Sequence, residues 1–201
     1  TNWATYGIRN AEILPGEIRC VDVTGDGKIN ADDRVILGSS DPKFTFGFNL
    51  SAQYAGFDVM AFFQGAAGVK GYLGIEAIGS INGDDAKPAA LWMDRWTPEN
   101  KNAKYPRVVE TLNGPSMPST TSDFWLQNAN YLRLKNLQVG YTFNKSLLQR
   151  VGISKLRVYY SAQNILTFTS FLKGWDPEAP SGRGNFYPQT QVHSVGLNLT
   201  F

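Results

Sequence analysis

Residues 22–33, DVTGDGKINADD, place oxygen-bearing side chains at the spacing of a cation-binding loop. Counted from Asp22 as first, Thr24 is third, Asp26 fifth, Asn30 ninth and Asp33 twelfth, with the Lys28 carbonyl at the seventh position. Oxygens at alternate positions let one turn of chain wrap a hard cation such as Ca²⁺. Gly27, at the sixth, supplies a bend that a side chain would block. Thr24 stands where a carboxylate is usual, and Asp33 is shorter than the glutamate that normally clamps the ion. The expected dissociation constant is therefore on the order of 10⁻⁴ to 10⁻³ M, as in extracellular modules. The competing reading is an Asp/Asn/Gly-rich turn that closes on its own backbone without metal.

Little else has the spacing of catalysis, and no enzyme is expected. His193 is the only histidine and has no Ser, Asp or Cys partner in a nucleophile motif. Cys20 is the only cysteine, which leaves no disulfide framework and no CxxC pair. The carboxylates of Asp84, Asp85, Asp94 and Glu99 show no spacing that marks an acid pair. Trp92, Trp96, Tyr105 and Trp175 could offer flat faces to a sugar or to a partner acting as a lid; packing of loops against each other is the plainer role. A net charge of +2 without basic runs gives no footprint for nucleic acid.

A calcium loop of this type usually leads into a helix, yet here it leads into strands. From Phe44 the chain alternates, with Phe44, Phe46, Phe48, Leu50, Ala52 and Tyr54 on one face and Thr45, Gly47, Asn49, Ser51 and Gln53 on the other. Ala55 and Gly56 read as a tight turn, after which Phe57, Val59, Ala61 and Phe63 continue the apolar face, while Phe62 interrupts the polar one. Five strands are expected, at about 44–54, 57–65, 131–143, 155–166 and 191–201. Residues 1–43 read as an external segment, and 66–130 and 167–190 as long external loops, the first with a short helix near 89–96 and a helical turn in the 144–154 link. Arg133 and Lys135 fall in the apolar register and suggest a bulge there or a position above the hydrocarbon.

Short connections gather at one end of these strands and long ones at the other, the asymmetry of an outer-membrane barrel. No apolar run approaches the ~20 residues of a membrane helix, but transmembrane strands need only ~9 to 11. The second face carries Thr, Gly, Asn, Ser and Gln rather than Lys and Glu, which suits a watery lumen more than the outside of a soluble sheet. Aromatics at strand ends, Tyr54 with Phe57, Tyr141 with Phe143 and Phe168 with Phe171, resemble interfacial girdles. A soluble, calcium-stapled β-sandwich used for surface binding or adhesion is the rival. Five strands cannot close a barrel, so on the membrane reading further strands come from elsewhere.

The stretches PGEIRCVDVTGDGKINADDRVILGSSDPKFTFGFNLSAQYAGFDVMAFFQG, RWTPENKNAKYPR, NANYLRLKNLQVGYTF, ISKLRVYYSAQNILTFT and GLNLTF together resemble the SusC/RagA family of TonB-dependent outer-membrane transporters. The resemblance implies an all-β fold: the C-terminal antiparallel strands of a transmembrane barrel of about twenty-two strands, with long extracellular loops. It implies import of an oligosaccharide or peptide with a SusD-like lipoprotein as lid. Energy would come from the TonB complex through an N-terminal region outside this chain. Outer-membrane lipid would contact the apolar face. It also makes Val195, Leu197, Leu199 and Phe201 resemble the terminal signal read during barrel assembly.

Overall fold

The computed structural model describes residues 14–72, 74, 89–108, 122–148, 152–182, 186–187 and 189–201, with only the backbone at 147. Residues 1–13 of the expected external segment, Asp84 and Asp85 with much of the first long loop, and parts of the 144–154 link and the second long loop lie outside the described residues. Among the described residues seven strands follow in chain order: β1 (Phe44–Tyr54), β2 (Phe57–Ala67), β3 (Lys70–Tyr72), β4 (Leu126–Asn128), β5 (Tyr131–Thr142), β6 (Lys155–Thr169) and β7 (Val192–Thr200). The five long ones form a single antiparallel sheet in the order β1-β2-β5-β6-β7, and β3 pairs with β4 in a separate ribbon. The chain divides into two units, one holding the described parts of 41–70, 128–178 and 187–201, the other those of 14–40, 71–127 and 179–186.

In the sheet unit, alternation becomes two chemically distinct faces. Residues paired across strands share a face, so register alone aligns Tyr54, Phe57, Tyr141, Val158 and Leu197 in one row. The next rows are Ala52, Val59, Val139, Tyr160 and Val195, then Leu50, Ala61, Leu137, Ala162 and His193. No second sheet covers this face among the described residues. Phe44, Phe46, Phe48 and Leu50 remain 42–69% exposed. A soluble sandwich would bury such a face against a partner sheet. Ala55 and Gly56 both have positive φ, +49° and +87°, which gives the two-residue turn whose handedness matches strand twist. The Gly56 carbonyl accepts the Thr142 N–H at 2.8 Å, anchoring that turn to β5.

Two irregularities reset the alternation where the sequence pattern falters. Lys135 is skipped in the pairing of β5 with both neighbours, and β6 skips Asn164 and Ile165, with Asn164 at φ +55°. Leu134 therefore pairs with Phe63 and Leu166 on the apolar face, while Arg133 pairs with Gln64 and Thr167 on the polar one. The bulge expected from Arg133 and Lys135 is present, and its effect is to turn Arg133 to the polar side. Because the ladder continues past it, β2 runs to Ala67 and β6 to Thr169, beyond the 65 and 166 expected from alternation. Phe62 interrupts the polar face as expected, and its ring lies over Gly47, where a Cβ would come within 3.1 Å.

At the turn end Tyr141 packs on Phe143 with ring centroids 5.0 Å apart, as expected, while Phe57, the register partner of Tyr54, packs its ring on Tyr141 at 4.6 Å. The expected pair of Phe168 and Phe171 separates instead. Phe168 lies exposed on the apolar face, whereas Phe171 is buried, its N–H bonded to Thr169 Oγ1 where the chain leaves β6. In the 144–154 link the helical turn is Lys145–Leu148, and near 89–96 the short helix is a 3₁₀ turn, Ala90–Asp94.

The second unit is built on aromatic packing. Trp92 and Trp125 are buried with ring centroids 5.8 Å apart, and Tyr105 stacks on Trp125 at 6.1 Å. Reciprocal backbone bonds fix this cluster: Trp96 N–H to the Tyr105 carbonyl at 2.9 Å and Tyr105 N–H to the Asp94 carbonyl at 3.1 Å. Gly16, at φ +86°, lies directly beneath the Trp96 indole where any side chain would collide, and its carbonyl accepts the Arg107 N–H at 2.9 Å.

Candidate functional site

The polar face of the sheet carries two closed ion clusters. Near the turn end, Arg157 of β6 reaches across β5 to Asp58 of β2, donating from Nε to Oδ1 at 2.9 Å and from Nη2 to Oδ2. Its Nη2 also donates to Gln138 Oε1 at 3.0 Å, and the guanidinium lies over the Tyr159 ring at 4.9 Å. Gly140 makes the crossing possible, since a Cβ there would sit 2.6 Å from Arg157 Nη2. Tyr159 in turn lies over Gly196 of β7, where a Cβ would collide with the ring.

The other cluster is set by the bulge. Arg133 is 3% exposed, donates from Nη2 to Asp176 Oδ1 at 2.6 Å and from Nε to Thr167 Oγ1 at 2.9 Å, and lies 3.3 Å from Glu178. Lys135, the bulged residue, places Nζ 2.7 Å from Glu178 Oε1. Asp176 and Glu178 belong to the second long loop, so this part of it is tied down onto the polar face. Neither cluster is visible to motif reading: Asp58 and Arg157 are 99 residues apart, Arg133 and Asp176 43.

In the other unit, the loop at 22–33 closes through its own backbone. Asp22 accepts the N–H of Gly25 at 2.7 Å and of Gly27 at 2.8 Å, one on each oxygen. Asp33 Oδ1 accepts the N–H groups of Val23 at 2.9 Å and Thr24 at 3.1 Å, and Oδ2 that of Asn30 at 2.8 Å. Asp26 accepts from Lys28 N–H at 2.8 Å, and Asn30 caps the 3₁₀ turn Ala31–Asp33. Gly25 and Gly27 carry the positive φ of such a turn, +75° and +80°. The N–H of Asn30, then that of Thr24, hold the Asp33 carboxyl below its ordinary value of 3.8. Among the described residues no three Asp, Glu, His or Cys side chains converge as a ligand set. As placed, the Asp22, Asp26 and Asp33 carboxylates accept backbone N–H groups.

Of the four aromatic candidates, Trp96 and Tyr105 share a cavity of about 440 Å³ whose wall also includes Gly16, Asp123 and Phe124. Trp92 lies buried in the packed cluster, and Trp175 belongs to the sheet unit. Trp125, which sequence reading passed over, is the cluster's centre. Val195, Leu197, Leu199 and Phe201 are all exposed on or beside the apolar face of β7. His193, also on that face, lies with Nδ1 2.5 Å from the Tyr160 hydroxyl, so that two polar groups satisfy each other there.

No family model matches the chain. Curated relatives do: it is 32% identical to TonB-dependent receptor P3 of Formosa agariphila over 93% of this chain and 19% of that protein. It is 28% identical to TonB-dependent receptor SusC of Bacteroides thetaiotaomicron over 93% of this chain and 18% of that protein. Among solved structures it superposes on a chain of the RagAB peptide importer in its open-open state with TM-score 0.66 and 31% identity, covering 87% of this chain and 19% of that one. A second RagAB structure, described as a peptide transporter, gives TM-score 0.67 at 30% identity over the same shares. The five-stranded sheet is thus an arc of transmembrane β-barrel. By sequence and by fold the chain is a relative of the SusC/RagA-type TonB-dependent receptors, and it corresponds to one barrel segment spanning about a fifth of their length.

Proposed function

We propose that the chain serves as lumen wall and outer loops of an outer-membrane nutrient importer driven by TonB and capped by a SusD-like lipoprotein. The observation that carries this reading is the single-layered sheet with an exposed apolar face and a hydrogen-bonding polar one, in a chain related to SusC and to the RagAB importer. The imported solute is an oligosaccharide or a peptide. The chain contributes passage and shape rather than catalysis. The cavity beside Trp96 and Tyr105 is the candidate contact for solute or lid in the loop unit. The apolar residues of β7 with Phe201 serve in barrel assembly.

The test is made in cells carrying the full-length receptor that contains this segment. Affinity purification in detergent is expected to bring down a lipoprotein, and deletion of the receptor to abolish growth on one class of oligosaccharide or peptide. Recovery of the protein in the soluble fraction, with no such growth defect, would contradict the reading.

Calcium enters as a further element, supported by the spacing of Asp22, Thr24, Asp26, Lys28, Asn30 and Asp33. Binding would require the Asp22, Asp26 and Asp33 carboxylates to turn from N–H donors toward the ion. Terbium luminescence tests it: a signal that millimolar calcium quenches is expected, and no terbium signal, or one that calcium leaves unchanged, would leave the loop as a self-closed turn.

A further inference from the structure

Resting on the import reading, we infer that this arc of the lumen wall selects for uncharged solutes, because its ionic groups, Lys155 at the strand end apart, are spent on one another and its open hydrogen-bonding capacity is neutral, carboxamide and hydroxyl. On the polar face Asp58 is paired with Arg157, and Arg133 and Lys135 with Asp176 and Glu178: three cations against three anions. Lys155 is the one further charge on this face of the described strands, exposed at the turn end of β6. Asn136 and Gln163 are paired across β5 and β6 in the middle of the sheet, both exposed, and Gln64 lies on the same face of β2. No described residue hydrogen-bonds their side chains, nor those of Asn49 on β1 and Asn198 on β7.

An amide offers a donor and an acceptor at once, which complements a hydroxyl group of either orientation. A carboxylate or sulfate in contact with the same wall exchanges part of its hydration for neutral groups and meets no unspent cation between the strand ends, so its charge is less well met there than in water. A peptide carries charged termini and meets the same difficulty, so a neutral oligosaccharide is the solute the wall suits best.

The experiment compares uptake, in cells expressing the full-length receptor, of neutral oligosaccharides of glucose, mannose and galactose with that of their carboxymethylated derivatives. A charged-terminus peptide set serves as a further arm. Neutral forms are expected to enter at least about ten-fold faster than their derivatives. Asp58→Asn, which frees Arg157, should narrow that ratio by about five-fold, the worth of one charge at contact distance in water. Asp58→Asn with Arg157→Gln should restore it. Heat-modifiable gel mobility confirms that each variant has assembled. Equal entry of neutral and carboxymethylated forms, preferential entry of peptides, or a double variant that behaves like Asp58→Asn would overturn the inference while leaving import intact. Entry of nothing in the panel, with a soluble receptor, would remove the import reading itself.

Discussion

Arg133 Nη2 lies 2.6 Å from Asp176 Oδ1, joining a buried strand cation to a loop anion. Removing one partner of such a pair leaves the others buried and uncompensated. Arg133→Gln is therefore expected to destabilise the barrel by about 3–5 kcal/mol, whereas Arg133→Met combined with Asp176→Asn and Glu178→Gln should recover most of the loss. Denaturant unfolding of the full-length receptor in detergent measures both. Protease cleavage after Lys173 should accelerate in the single variant, since the loop loses its tie.

Gly140 is the floor over which Arg157 crosses to Asp58. Gly140→Ala should displace the guanidinium and cost about 1–3 kcal/mol, as overpacking does. Alanine at the neighbouring polar-face position Gln138 removes only one of the arginine's bonds and should cost no more than about 1.5 kcal/mol. Equal effects from the two would contradict the role of the gap.

The two faces are tested by one pair of neighbours. Leu137→Arg, on the apolar face, should cost about 2–4 kcal/mol in a bilayer. Asn136→Arg, one residue away on the polar face, should stay within about 0.5 kcal/mol. Unfolding titrations in liposomes distinguish them.

Asp33 organises the loop at 22–33 as an anion. Its folded pKa lies below 3.8, so its stabilising effect is complete above that value and is lost as pH falls through the lower, folded one. Amide exchange at Val23, Thr24 and Asn30 should be slow from neutrality to about pH 4 and accelerate beyond its intrinsic pH dependence only below that. In Asp33→Asn the protection at Asn30 should already be reduced at neutral pH, because only one acceptor oxygen remains.

How much of this was legible depends on whether the information is local. β1 shows its faces directly, since eleven residues alternate without interruption and the Ala55–Gly56 turn fixes its pairing. The faltering of alternation at Arg133 and Lys135 signalled a bulge, but which side Arg133 takes follows from the ladder on both sides of β5. The Asp58–Arg157 crossing and the loop tie at Arg133 join residues remote in sequence, and no spacing rule reaches them. The loop at 22–33 is a case where one spacing serves two chemistries: oxygens set to wrap a cation equally accept backbone N–H groups, and spacing alone does not separate the two. Phe171 looked like its neighbour Phe168 because both are aromatic at a strand end; burial after the strand's last residue separates them. Trp125 carried no periodic signal, since the unit it centres is held by ring packing and short turns.

The most direct measurement is site-directed spin labelling of the full-length receptor in lipid bilayers, with labels placed singly at Phe46, Leu137 and Val158 and, opposite them, at Asn49, Asn136 and Ser161. Collision with oxygen should dominate at the first three and with a water-soluble nickel chelate at the second three. Nickel access at Phe46, Leu137 and Val158 equal to that of their polar-face neighbours would contradict a wall with lipid on one side and water on the other.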